Sequence, residues 1–174
     1  MRLYRIAVWL IVGCGLAGCA SRQAALPATR PNGQRIEVLA ATCYPPNGWA
    51  AEPLKVSPRH HHQVWVSPGG ATAYGVIHFS LPLPVSADLA LWGFLREMKR
   101  TEGTAELLSK QSADDKSGLL FDAQGGLYRV RGLLHVDGWE GWVAYAGTRT
   151  DHPIDPAELE IAARARDSTQ FKPQ

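Results

Sequence analysis

The hydrophobic pattern divides the chain into three parts. Ile6 to Gly18 is an apolar run without a single charge, well short of the roughly 20 residues that a helix needs to cross a bilayer core. From Ala20 to about Arg35 the residues are small, polar and proline-containing with no sustained period, which reads as a tether. Patterned sequence begins near Ile36. The expected organisation is therefore a leader at 1–18, a flexible tether at 19–35, one domain at 36–171 and a short tail at 172–174.

Within the domain, the apolar stretch from Val38 to Tyr44 runs into Pro45-Pro46-Asn47-Gly48-Trp49, where the prolines and glycine stop a strand. Gln63 to Val66 predicts a short strand, Ser67-Pro68-Gly69-Gly70 a turn, and Ala71 to Ser80 the returning strand of a hairpin. Pro82 and Pro84 end that run. Ser86 can cap a helix from Ala87 to about Arg100, with Asp88 in its first turn and Leu91, Leu95 and Met98 at helical spacing.

Strands are next expected at Glu106 to Lys110 and Ser117 to Asp122, with Ala123-Gln124-Gly125-Gly126 as a hairpin loop into Leu127 to Val136. Asp137-Gly138 reads as a two-residue turn, and Trp139 to Thr148 as the strand that follows it. Asp155-Pro156-Ala157-Glu158 combines an N-cap, a first-position proline and an early glutamate, so a closing helix should reach about Asp167.

Strands, helix, strand meander, helix is the order of an α+β fold, here with an antiparallel sheet of about six strands flanked by helices. Tyr44-Pro45-Pro46-Asn47-Gly48-Trp49, the hairpin, the leucine-rich helix, the strands from Gly118 to Thr148 and the closing helix before Phe171 together resemble the PsbP/Mog1 fold, DcrB-like bacterial lipoproteins included. The resemblance spans roughly Glu37 to Phe171. It implies an adaptor, assembly factor or chaperone-like binding protein rather than an enzyme. His60-His61-His62, and the lack of a serine directly before Phe171, depart from that pattern.

The leader adds a location. Met1-Arg2-Leu3-Tyr4-Arg5 ahead of the apolar run is a signal-peptide start, and Leu16-Ala17-Gly18-Cys19 resembles the lipobox of bacterial lipoproteins. That resemblance implies cleavage before Cys19 and covalent lipid on its thiol, hence a chain anchored to an envelope membrane. With two membranes in the host, Ala20 after the cysteine resembles the signal for outer-membrane delivery, facing the periplasm. No other cofactor is expected.

Loss of the leader removes Arg2 and Arg5, leaving 16 of the 18 basic residues against 16 acidic ones. The mature chain is formally neutral, and no basic patch is left to suggest nucleic acid or an anionic surface as a partner. Cys14 departs with the leader and Cys19 carries the lipid, so Cys43 has no internal disulfide partner and is expected as a small buried hydrophobe.

Candidate chemistry is sparse. Arg59-His60-His61-His62 offers imidazoles to a metal. Alternation along a strand would let His60 and His62 share one ion, but no spacing supplies further ligands, so a solvated loop is expected whose replacement leaves stability unchanged. No Gly-x-Ser-x-Gly elbow is present, and Asp114-Asp115 stands in a solvated loop. The alternatives are a periplasmic metal-binding lipoprotein using the His60–His62 run and, last, an unrecognised hydrolase, for which Cys43 is the nucleophile to test.

The turn at Asp137-Gly138 allows side-chain faces to be assigned. With Val136 opposite Trp139, the residues Leu134, Val130, Tyr128, Val143 and Tyr145 form a core face. The other face pairs His135 with Glu140, Leu133 with Trp142, and Arg131 and Arg129 with alanines. Arg129, Arg131, His135, Glu140 and Trp142 are thus candidate partner-binding residues, since tryptophan and arginine often anchor interfaces. The competing account has the closing helix covering Leu133 and Trp142, with the charges at the solvated margin.

Overall fold

A computed structural model describes residues 33–57, 60–112 and 118–172. In chain order the elements are β1 (Ile36–Val38), β2 (Ala41–Cys43), β3 (Ala50–Ala51), β4 (Lys55–Val56), β5 (His60–Val66) and β6 (Thr72–Ser80). After these come α1 (Ala87–Glu102), β7 (Ala105–Ser112), β8 (Gly118–Gly125), β9 (Tyr128–Asp137), β10 (Glu140–Arg149), α2 (Pro156–Asp167) and β11 (Gln170–Phe171).

The fold is α+β but dominated by β structure. One antiparallel sheet has eight strands, in the order β3-β5-β6-β10-β9-β8-β7 with β4 also paired to β5, and a small sheet runs β1-β2-β11. The large sheet exceeds the six strands expected because β3 and β4 are two residues each, too short to give an alternating signal.

Both helices obey their capping chemistry. The Ser86 side chain accepts the Leu89 N–H at 3.3 Å, and Gly103, at φ +80°, closes α1 in the left-handed region. Asp155 accepts the Ala157 N–H at 2.9 Å ahead of Pro156. Glu102 then ties the end of α1 to the β8–β9 turn, its carboxylate accepting the backbone N–H groups of Leu127 and Tyr128.

Each face of the large sheet carries a packed core, while β7 at its edge stays exposed. On the first, α1 lays Ala87, Ala90, Leu91 and Met98 over Ile77, Phe121, Leu134, Val143 and Tyr145. Three cross-strand pairs on this face set an aromatic ring directly over a glycine: Tyr145 on Gly75, Phe121 on Gly132 and Phe79 on Gly141. A Cβ at any of these glycines would collide with the ring, so the missing side chain is what makes room for it. On the second face, Ala162 and Ala165 of α2 bring that helix close to Tyr74, Val76, Ala144 and Ala146, and the small sheet adds Ala41 and Cys43.

The β9–β10 register differs from the sequence expectation. Asp137 pairs with Glu140, so the loop is Gly138-Trp139, and Trp142 stands opposite His135 rather than Leu133. Gly138, at φ +56°, takes the first loop position, the arrangement favoured by a type II′ turn. The slip is two positions, an even number, so every side chain keeps its assigned face and the expected core set is buried. Likewise β8 continues through Gly125, where a loop from Ala123 was expected.

Candidate functional site

Strand alternation brings His61, His78, Trp142 and His135 into a row across the second face, and Phe171 of β11 completes it. Trp142 is the centre. It is fully buried, its indole N–H donates to the Leu39 carbonyl at 2.9 Å, and its ring lies 5.1 Å from His78, 6.0 Å from His135 and 6.1 Å from Phe171. The β1–β2 hairpin and β11 thus contribute cover over Trp142.

That hairpin turns through Leu39 and Ala40, both at φ 55°, a conformation costing side-chain-bearing residues roughly 1–2 kcal/mol each. Two bonds hold it there. The Leu39 carbonyl takes the Trp142 indole, and the Ala40 carbonyl takes the Lys172 N–H at 2.9 Å.

The candidate patch consequently divides. Trp142 is a core residue, which removes it from any exposed surface. Glu140 sits 3.3 Å from His78 Nε2 instead of pairing with His135, and His135 stacks on Phe171 at 5.7 Å. Arg129 and Arg131 keep exposed side chains at the margin of the face, next to the ground that α2 covers.

There the arginines converge on Asp122, which stands opposite Arg131 on β8. Arg129 grips the carboxylate with Nε at 3.0 Å and Nη2 at 2.7 Å, while Arg131 contributes only Nε, at 3.0 Å. Burial raises the pKa of Asp122, but the two guanidiniums outweigh it and the net shift is downward. The acid's side chain is 13% exposed against 41% and 50% for the arginines. One carboxylate thus fixes two exposed cations, and the terminal nitrogens of Arg131 are left free of it. Beside them the cross-strand pair Leu120 and Leu133 supplies apolar surface, Leu120 exposed and Leu133 half-buried.

The histidine run is strand, not solvated loop. His60 and His62 do share a face, as the two-residue period requires, yet each has a ring nitrogen already engaged. His60 Nδ1 lies 2.5 Å from Ser57 Oγ, and His62 Nε2 lies 2.7 Å from Tyr145 Oη. Burial, together with the charge of Lys55, pushes the pKa of His62 down to about 3, so it is a neutral core group. Among the described residues, no group of three or more His, Cys, Asp or Glu side chains is placed to hold a metal ion.

Cys43 is buried as expected, and burial pushes its thiol up to about 11. A thiol so protonated, with the Tyr74 hydroxyl beside it, lacks the activation a nucleophile needs. Cys19, Arg59 and Asp114-Asp115 lie outside the described residues. Among those residues, no helix is long and apolar enough to cross a membrane.

The sequence reading missed Asp122, His78 and Phe171. Asp122 carried a usable signal, because once β8 and β9 are set antiparallel an acid facing two alternate arginines is a natural ionic pairing. The other two depend on strand neighbours far apart in the chain.

No family model matches the chain, and no curated protein does. Among solved structures it is similar to a 1.50 Å crystal structure from Bacteroides thetaiotaomicron VPI-5482, with 10% identity and a TM-score of 0.41, over 82% of this chain. This chain spans 50% of the length of that structure. Likeness at that score carries no argument about what either protein does.

Proposed function

We propose that the chain is an envelope lipoprotein held to its membrane by lipid on Cys19, with a PsbP/Mog1-like domain that acts by binding another envelope protein. The finer fold assignment rests on element order and on the Pro45-Pro46-Asn47-Gly48-Trp49 opening. The anchor rests on Leu16-Ala17-Gly18-Cys19 behind a basic start and a short apolar run.

The observation that carries the binding function is the Asp122–Arg129–Arg131 cluster. Two exposed guanidiniums held in place by one mostly buried carboxylate lose little rotamer freedom when they meet a partner. Leu120 and Leu133 next to them add apolar contact area, and such a combination suits a protein segment with a carboxylate beside an aliphatic side chain.

A photo-crosslinking residue at position 120 of the anchored protein, in its own cell, tests the reading. It should trap one envelope protein reproducibly. The yield should fall on Arg131→Glu, and a probe at Glu160 of α2 should not trap that protein. Equal trapping at both positions, or no response to Arg131→Glu, would contradict the reading.

A further inference from the structure

On the opposite side of the molecule, α1 leaves a stripe uncovered. Leu89, Trp92, Arg96 and Lys99 follow at intervals of three and four residues, so they project from one side of the helix while Ala87, Leu91 and Met98 project into the core. Leu89 is 52% and Trp92 57% exposed, and the Arg96 guanidinium lies 5.5 Å from the centre of the Trp92 ring. Neighbouring charges are already matched, Asp88 by Lys110 and Glu97 by Arg100. Arg96 and Lys99 have no acidic partner among the described residues. Beyond the start of the helix, Leu83 and Trp139 are also exposed, and the Trp139 carbonyl accepts the Leu81 N–H at 2.7 Å.

Given the Cys19 anchor of the proposed function, we propose that this stripe of α1 rests in the headgroup layer of the anchoring bilayer. Tryptophan favours that layer because its ring is apolar and its N–H polar. Leu89 reaches toward the acyl chains, and Arg96 and Lys99 meet anionic headgroups. The tether from Cys19 to residue 32, about 14 residues, can extend to roughly 50 Å. A domain of this size is only about 35 Å across. Any face can therefore reach the bilayer, and surface chemistry selects which one rests there.

The test uses the full acylated chain in vesicles of phosphatidylcholine and phosphatidylglycerol, with or without brominated acyl chains. A bimane fluorophore is placed on Leu89→Cys or, as a control on α2, on Glu160→Cys. Buried Cys43 will not react. Brominated lipid should quench the Leu89 label and spare the Glu160 label. Arg96→Gln and Lys99→Gln should each lower the ratio of docked to free domain about fivefold. Equal quenching at the two labels, or none at Leu89, overturns the proposal. Intact-mass spectrometry of the same chain separates it from the anchor: if Cys19 bears no acyl chains, the anchor reading fails, whereas Leu89 quenching stands or falls by itself.

Discussion

Trp142→Ala probes the packing that divides the second face. Truncating a fully buried large aromatic costs about 3–5 kcal/mol. Here the loss extends beyond the ring, because the half-buried Leu39 carbonyl loses its donor, a hydrogen bond with a net contribution of about 0.5–1.5 kcal/mol. Some strain at Leu39 and Ala40 is released in exchange, so the upper half of the range, about 4–5 kcal/mol, is expected. For a domain of this size that lowers Tm by about 8–20 °C. Trp142→Phe keeps the aromatic contacts with His78, His135 and Phe171 but not the N–H, and should cost about 1–2 kcal/mol. Urea titration at unchanged slope measures both. A Trp142→Ala protein within about 1 kcal/mol of the parent would show that the indole is not a core anchor. Normal stability with lost partner trapping would return Trp142 to the surface patch.

Three further outcomes follow from the buried groups. His62 has a folded pKa below its unfolded one, so its neutral form contributes stability in full above about pH 6.5 that is lost as pH falls toward 3; His62→Gln should flatten this part of a stability–pH curve, and an unchanged slope would count against it. Zinc should leave the folding midpoint where it is, since a bound ion would raise it; a zinc-dependent rise abolished by His60→Ala would restore the metal reading. Gly75→Ala forces a Cβ into the Tyr145 ring and should cost roughly 1–3 kcal/mol by calorimetry, whereas the same change at exposed Gly93, where nothing stands in the way, should be neutral or stabilising.

What the sequence disclosed tracks how local each determinant is. Both helices were legible because Ser86, Asp155 and Pro156 act within a turn or two of themselves. The faces of β9 and β10 survived a wrong register because parity, not the pairing itself, decides the face. The β1–β2 turn was hidden, since leucine and alanine are not residues that announce a left-handed turn; only distant Trp142 and Lys172 hold them there. The histidine run misled for the same reason. Three adjacent imidazoles look solvated until β6 and β10 supply His78 and Tyr145 to receive them. Of the candidate partner residues, Arg129 and Arg131 keep their exposure, while Trp142 is claimed by a hairpin lying a hundred residues earlier.

The claim on which the rest depends is the anchor. Mass spectrometry of the protein extracted from its own membranes should find an N-terminus at Cys19 bearing acyl chains, and Cys19→Ser should release the chain from the membrane. A mature protein beginning at any other residue, or a Cys19 without lipid, would contradict the account.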